Sequence, residues 1–435
     1  MEKIRLPVFR YGCNRRRHDI RAMNAPRVIF LPAPSRHLRG TIAAMLCTFV
    51  LAACSPRPPD ACSYLANAVN SVPGDAVFLA SYPTANIDQL RGTAFLYDNA
   101  LAAVALVGCG ERQKAARVGD AILFALDHDR YWHDGRLRNA YLAGPVGRDN
   151  PIKLAGWWDK ARNKWVEDRY QVASDSGNMA WAVLALLAVD RATGDHKYLG
   201  GAVRIANWLT RFRTNKYPGG FTGGTFAYEP APQIEHWKST EHNSDLAAAF
   251  SGLAWATHDP RWLSQARGSE EFVAATWSAD CRCFAAGTGE DGATRNNLLA
   301  LDAQIFPLLA VPGAARKYAG VYATIRNRLS DDGGVSYGIR KGGLWTEGTA
   351  QLALAEKLSG SENAAGALIK TLGRLRAANG SYYATNTKDL PTGFVLDTDP
   401  AQARQYFRLP HLGATAWVAL AEEGYNPFTQ ANRLP

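Results

Sequence analysis

Six carboxyl side chains stand at or near the start of stretches rich in Ala and Leu: Asp98, Asp175, Glu241, Asp245, Asp302 and Glu347. Paired carboxyl groups do acid–base chemistry when one is held protonated and the other ionised. The stretch STEHNSDLAAAF, residues 239–250, carries two of the six. Glu241 and Asp245 are four apart and share one face of a helix, so their repulsion favours a proton on one of them. Glu241 is therefore expected to be the general acid. A helix N-terminus favours the ionised carboxylate, which suits a base or nucleophile. Asp175 is the expected base, with Glu347 as the alternative. His242 is placed to orient Glu241, to satisfy a loop carbonyl or to move a proton.

Other chemistries have weaker signatures. Gly334-Val335-Ser336-Tyr337-Gly338 matches G-x-S-x-G, but a nucleophile elbow needs a strand before it and a helix after it, and here DDGG precedes and a Gly-rich turn follows. Neither a phosphate loop nor an H-E-x-x-H metal pair is present. Asp331 and Asp332 lack the remaining ligands of a calcium loop. No metal and no cofactor is expected.

The elements that must position these groups repeat. RGTAFLYDNALAAVAL, VASDSGNMAWAVLALLA, STEHNSDLAAAFSGLAW, NNLLALDAQIFPLLAV, LWTEGTAQLALAEKL and RLPHLGATAWVALAEE each run from a polar cluster into an almost wholly apolar segment. Such segments read as helices buried on every side. Most are followed by an amphipathic helix after a short turn with Gly, Pro or Asp, as in ATGDHK and THDP, which is how antiparallel helix pairs connect. The returns are long and aromatic, as in 129–173 and 214–240. A single polar start is ordinarily a cap worth about 1 kcal/mol; six co-facing ones, each with several polar residues, point to a shared lining. The positions 98, 175, 241, 302, 347 and 411 are spaced by 77, 66, 61, 45 and 64 residues, too long and irregular for the common helical repeats. The expected fold is all-α, an (α/α)6 toroid of six helical hairpins with its long loops on the open face.

The chain also resembles the six-hairpin glycosidase superfamily through STEHNSDL, LWTEGTAQLALA, HLGATAW and the NPF at Asn426–Phe428, over residues 91–428; these motifs are similar to those of a largely uncharacterised branch of bacterial secreted proteins. The resemblance implies a glycoside hydrolase acting on a polysaccharide or oligosaccharide, a glucan or exopolysaccharide, by an inverting mechanism. On that reading Asp98, Asp245, Asp302, Asn243, Gln304, Gln351 and His411 bind substrate with Trp237, His242, Trp345 and Tyr382, the aromatic rings offering flat faces to pyranoses. A polysaccharide lyase or sugar epimerase on the same fold stays open through His242, Tyr382 and His411. So does a non-catalytic glycan-binding or secretion-scaffold lipoprotein.

Residues 1–53 differ from the rest. Arg36-His37-Leu38-Arg39 precede TIAAMLCTFVLAAC, a basic segment and an apolar run too short for a membrane span, which reads as a secretory signal. Met1 and Met23 are both serviceable starts. Leu51-Ala52-Ala53-Cys54 resembles a bacterial lipoprotein box, implying a lipid anchor on Cys54 and a periplasmic, outer-membrane location. The leader holds 10 Lys or Arg and 2 Asp or Glu; of the chain's 49 basic and 39 acidic residues, 39 and 37 then remain. The net charge of +10 is thus mostly the leader's, and nucleic acid is not expected as a partner. Cys62, Cys109, Cys281 and Cys283 can pair in an oxidising compartment; the favoured pairs are 62 with 109 and 281 with 283. The expected organisation is a leader (1–53), a linker and first helix (54–90), the toroid (91–428) and a tail (429–435).

Overall fold

The computed structural model describes residues 59–396 and 399–435; the leader and Cys54 lie outside them. Among the described residues the helices are α1 (Ala61–Asn70), α2 (Leu96–Gly108), α3 (Arg112–Asp127), α4 (Ser176–Thr193), α5 (Lys197–Leu209), α6 (Thr240–Thr257), α7 (Arg261–Ala275), α8 (Asp302–Ala310), α9 (Ala314–Lys317), α10 (Val321–Arg328), α11 (Thr346–Leu358), α12 (Glu362–Leu372) and α13 (Leu412–Glu423). The even apolarity of the Ala/Leu segments has its expected outcome: α4 is buried without a break from Met179 to Val189. Six such inner helices, α2, α4, α6, α8, α11 and α13, pack side by side, and α13 against α2 closes the ring. Strands among the described residues are confined to sheets of two or three members. This is the (α/α)6 toroid.

Outer helices α3, α5, α7 and α12 each follow an inner one, and the fourth hairpin splits its outer helix into α9 and α10. The sixth hairpin is assembled from both ends of the fold. Its inner helix is α13, and its outer one is α1, which packs on α13, α2 and α3. Helix 61–70, read from sequence as preceding the toroid, is thus a piece of the ring. Cys62 and Cys109 form a disulfide that ties α1 to the end of α2, and Cys281 and Cys283 form a second.

One device recurs at all six inner helices. Count from the residue before each helix: Phe95, Asp175, Ser239, Trp345 and His411, with Ala300 in the matching place for α8. Four residues on stand Asn99, Met179, Asn243, Gln304, Thr349 and Thr415. Each accepts the backbone N–H of an extended segment: Leu79, Leu137, Phe221, Phe284, Val335 and Tyr382 in turn, at 2.8–3.2 Å. Two residues further along, each segment offers a carbonyl to the first N–H of the preceding inner helix: Ser81 to Leu412, Asn139 to Leu96, Gly223 to Ser176, Ala286 to Thr240, Tyr337 to Leu301 and Ala384 to Thr346. These buried segments would otherwise carry unpaired peptide groups at a cost of about 1–3 kcal/mol each. Six stitches therefore run from one helix start to the next around the ring.

Candidate active site

The helix starts surround a cavity of about 920 Å³ at the open end. Its lining follows the same count. Two residues into the helices come Tyr97, Gly177, Glu241, Asp302 and Glu347; six residues in come Trp181, Asp245, Phe306 and Gln351. Of the residues expected to form a site, Asp98, Asp175, Trp237, Glu241, His242, Asp245, Asp302, Trp345, Glu347, Gln351 and His411 line this cavity.

Three do not. Asn243 and Gln304 occupy the stitch position. The Asn243 amide grips both Phe221 backbone groups and the Ser239 carbonyl; the Gln304 amide grips both Phe284 groups and the Ala300 carbonyl. Their helical angle turns them away from the cavity, so a polar start carries two jobs on two faces. Tyr382 belongs to a stitch segment. Its ring is buried, with its hydroxyl 3.4 Å from Glu422 Oε1.

On one side of the cavity three carboxyls crowd together, Asp245 and Asp302 buried and Glu241 half-buried. Glu241 and Asp302 hydrogen-bond each other, and Asp245 lies beside Asp302. Burial, then the charges of Asp302 and Asp245, hold Glu241 well above the usual carboxylate range. The direction matches the sequence expectation, but burial and Asp302 weigh more than the Asp245 repulsion it invoked. Burial and Asp302 likewise push Asp245 well up, and neither of its oxygens has a hydrogen-bond partner. Asp302 is also raised by burial, but it accepts hydrogen bonds from the Ala303 amide at 2.7 Å, from Glu241 and from Tyr337. The shared proton accordingly sits on Glu241, and Asp302 accepts it.

The opposite side is built differently. His411, the N-cap of α13, has Nε2 3.2 Å from Asp98 Oδ2 and Nδ1 3.3 Å from Glu347 Oε1. Nδ1 also lies 3.3 Å from the Ala414 amide, a bond it accepts only when unprotonated. Two flanking carboxylates outweigh one amide, and although burial opposes the charge they raise His411 to about 10. The imidazolium in turn restrains the rise that burial gives Glu347. Tyr97 donates to Glu347 Oε2 at 3.3 Å and receives the Trp417 indole N–H at 2.7 Å. Tyr82 stacks on the His411 ring, 4.3 Å between centroids.

Two glycines make room for this arrangement. A Cβ on Gly413 would meet Asp98 Oδ1 at 2.6 Å, and one on Gly177 would meet His242 Cδ2 at 2.5 Å. His242 thus leans on the neighbouring helix, with Nδ1 3.2 Å from Ser176 Oγ, and burial lowers it to about 4, leaving it neutral. Asp175, the N-cap of α4, accepts from Asn139 Nδ2 at 3.1 Å. Trp237 donates its indole N–H to Glu235 and meets His242 edge-on.

Sequence reasoning missed Tyr82, Tyr97, Tyr170, Trp181, Tyr337 and Tyr406, which supply most of the aromatic wall. Tyr97 and Trp181 had a signal: they share helical positions with Glu241 and Asp245 respectively. Trp181, Phe306, Trp417 and Phe428 pack with centroids 5.1–6.1 Å apart as a plug beneath the cavity, which gives the NPF segment its place. Above, the hairpin Asp389–Leu396 with Asp399–Phe407 brings Arg404 and Tyr406 to the rim, the Arg404 guanidinium 4.6 Å from the Tyr170 ring centre.

No protein-family model and no curated protein matches the sequence. Solved structures do. A glycosidase variant in complex with glucose aligns over 83% of this chain and 95% of its own, with a TM-score of 0.57 and 14% identity. A sugar epimerase from a ruminal bacterium aligns over 83% and 96%, at 0.56 and 10%. An α-amylase from Clostridium perfringens aligns over 85% and 99%, at 0.60 and 10%. At these identities the likeness is one of architecture, and the six stitched hairpins with their polar open end are the (α/α)6 toroid those proteins share.

Proposed function

We propose that the protein hydrolyses a glycosidic bond, with Glu241 as general acid. The observation that carries this is the Glu241–Asp302 pair: a half-buried carboxyl held protonated at the start of a helix, opening into a cavity that faces a second carboxylate. Acid catalysis needs a proton donor that survives at neutral pH, and burial beside like charges supplies one. Glu347 suits the base better than Asp175. Its charge is among those raising Glu241, and the His411 cation and Tyr97 hydroxyl favour its ionised form. The acid would protonate the leaving oxygen while Glu347 takes a proton from the attacking water, the inverting arrangement. The glycosidase and amylase among the similar structures support the substrate class. The disulfides and the lipobox-like Leu51–Cys54 support a periplasmic, lipid-anchored protein.

Epimerisation or elimination requires a base, such as a His or Tyr side chain, near a sugar carbon, and Tyr382 lies outside the cavity. His411 is already an imidazolium, and His242, lowered to about 4, is a weak base; neither favours that reading. The test is incubation with glucans, uronans and amino-sugar polymers, with products read by mass spectrometry beside Glu241→Gln, Glu347→Gln and Asp175→Asn. Water-added fragments lost in the first two variants and kept in the third support the assignment. Fragments one water lighter, or retention on a polymer without products, overturn it in favour of a lyase or a binding protein.

A further inference from the structure

The exposed apolar side chains are not spread evenly. Among the described residues nine large ones stand exposed, and six of them, Tyr131, Trp158, Trp165, Tyr217, Tyr228 and Ile234, belong to the long returns 129–173 and 214–240. The same returns supply part of the rim of the active-site cavity, at Arg169, Tyr170, Phe226 and Trp237. A single exposed ring needs no explanation, whereas a group of them beside a cavity marks a contact surface.

A second, outer cavity of about 400 Å³ lies among these rings, lined by Arg162, Lys164, Trp165, Val166, Glu167 and Tyr228. It shares two stretches of chain with the inner one. Along the first, Trp165 to Glu167 line the outer cavity, and Arg169 and Tyr170 the inner; along the second, Phe226 lines the inner and Tyr228 the outer. The stretches are tied to each other where they pass from one cavity to the next. The Tyr228 hydroxyl donates to the Glu167 carbonyl at 2.7 Å, and the Arg169 guanidinium stands 4.6 Å from the Phe226 ring centre. The four residue steps from Trp165 to Arg169 span at most about 14 Å, so one elongated ligand can occupy both cavities. The outer one is also held in shape. Trp158 and Trp165 are opposite each other in the hairpin Trp157–Asp159 with Lys164–Val166, and so share one face of the ribbon. A Cβ on Gly156 would meet Trp165 Nε1 at 2.6 Å; the glycine lets the indole lie against the chain. Arg130 bridges Glu167 and Glu229 at 2.6 and 2.5 Å, and the buried Arg138 bridges Glu229 and Asp129 at 2.9 and 2.7 Å. These pairs grip the residues next to Val166 and Tyr228. Rings held in water on an ordered backbone lose little freedom when a ligand covers them.

The rings alternate with Arg162, Lys164 and Glu167. A protein partner would have to strip water from those charges, which the centres of protein interfaces avoid. A pyranose chain instead lays C–H faces on the rings and offers hydroxyls to the charged groups. We infer that the outer cavity, with Trp158 beside it, is a subsite for the pyranose rings of a glycan chain that continues out of the active-site cavity, and that the substrate is a polymer. The inference rests on the hydrolase reading for calling this glycan the substrate; the subsite itself uses none of the acid–base residues.

Affinity electrophoresis tests this with the full chain carrying Glu241→Gln, so that bound polymer is not consumed. The gels contain mixed-linkage β-glucan, dextran, galactomannan, alginate or glycol chitin. At least one polymer is expected to retard the protein, and Trp158→Ala with Trp165→Ala should weaken that binding about tenfold. Tyr228→Ala, on the other stretch of chain, should weaken it in the same direction. All three side chains are exposed, and melting curves check the fold of each variant. Retardation by no polymer, or retardation unchanged in both variants, would overturn the inference. Variants that keep the retardation but lose a dimer, or lose attachment to phosphatidylglycerol vesicles, would give the face to a second copy or to a lipid surface instead. A wild-type protein that is retarded but releases no products keeps the subsite and removes the hydrolase; one that cleaves polymer equally well with and without the two Trp rings does the reverse.

Discussion

The two sides of the cavity solve the same electrostatic problem in opposite ways. On the α2–α13–α11 side, an imidazolium stands between Asp98 and Glu347 and supplies their counter-charge. On the α6–α8 side, Glu241, Asp245 and Asp302 have no such cation, and protons do the neutralising. Asp98 and Glu347 are as buried as Asp245 and Asp302, so burial alone does not fix a carboxyl's state; the neighbour does. The difference yields a proton donor and a proton acceptor facing one cleft from side chains of one chemical type.

Removing the donor should have the largest effect. Glu241→Gln is expected to lower kcat about 10²–10⁴-fold, with little change in melting temperature because a neutral amide replaces an already neutral acid. A large loss of stability instead would mean that Glu241 is ionised. Removing the cation should do the reverse. His411→Ala leaves two buried carboxylates unpaired and should destabilise the fold by about 3–5 kcal/mol, read by denaturant unfolding. Gly413→Ala attacks the same side more gently, pushing Asp98 off His411 at a cost of about 1–3 kcal/mol. Asn243→Ala breaks one stitch and should cost about 1–3 kcal/mol, with the slope of activity against pH unchanged.

The smallest effect is in pH dependence, and it separates the sides. Glu241 and Glu347 are both raised. Activity should be lost at low pH as the base protonates and at high pH as the acid ionises, with both limbs above the ordinary carboxylate range. Stability reports His411. Its pKa in the folded protein is about 10 against the usual 6.5, so its contribution is complete below about 6.5 and lost as pH rises through about 10. His411→Gln should flatten the melting temperature across that window.

How much of this was legible depended on what each residue does for the chain. The inner helices were legible because an Ala/Leu segment that is apolar all round has nowhere to go but inside. The acids were legible because they recur at helix starts. Asn243 and Gln304 were not separable from them, because the choice between cavity and stitch is about 100° of helical rotation per residue, and only a fixed count from each helix start resolves it. The His411 bridge joins Asp98 and Glu347 from helices 313 and 64 residues away in sequence, and no local pattern encodes that closure. The aromatic wall comes largely from loops whose Trp and Tyr residues look alike whether they pack or face a cavity.

The sixth hairpin has a consequence for how the molecule is made. Its two helices, 61–70 and 412–423, are separated by nearly the whole fold, so during synthesis five hairpins can accrete while the annulus stays an open horseshoe. His411 arrives with the last helix, and Asp98 and Glu347 wait for it. Assembly of the acceptor side of the cleft is therefore the same event as shutting the circle. A circular permutant that links the C-terminal residues directly to α1 and opens the chain in an outer turn, such as 194–196, would convert that final long-range docking into an early local one and should speed refolding.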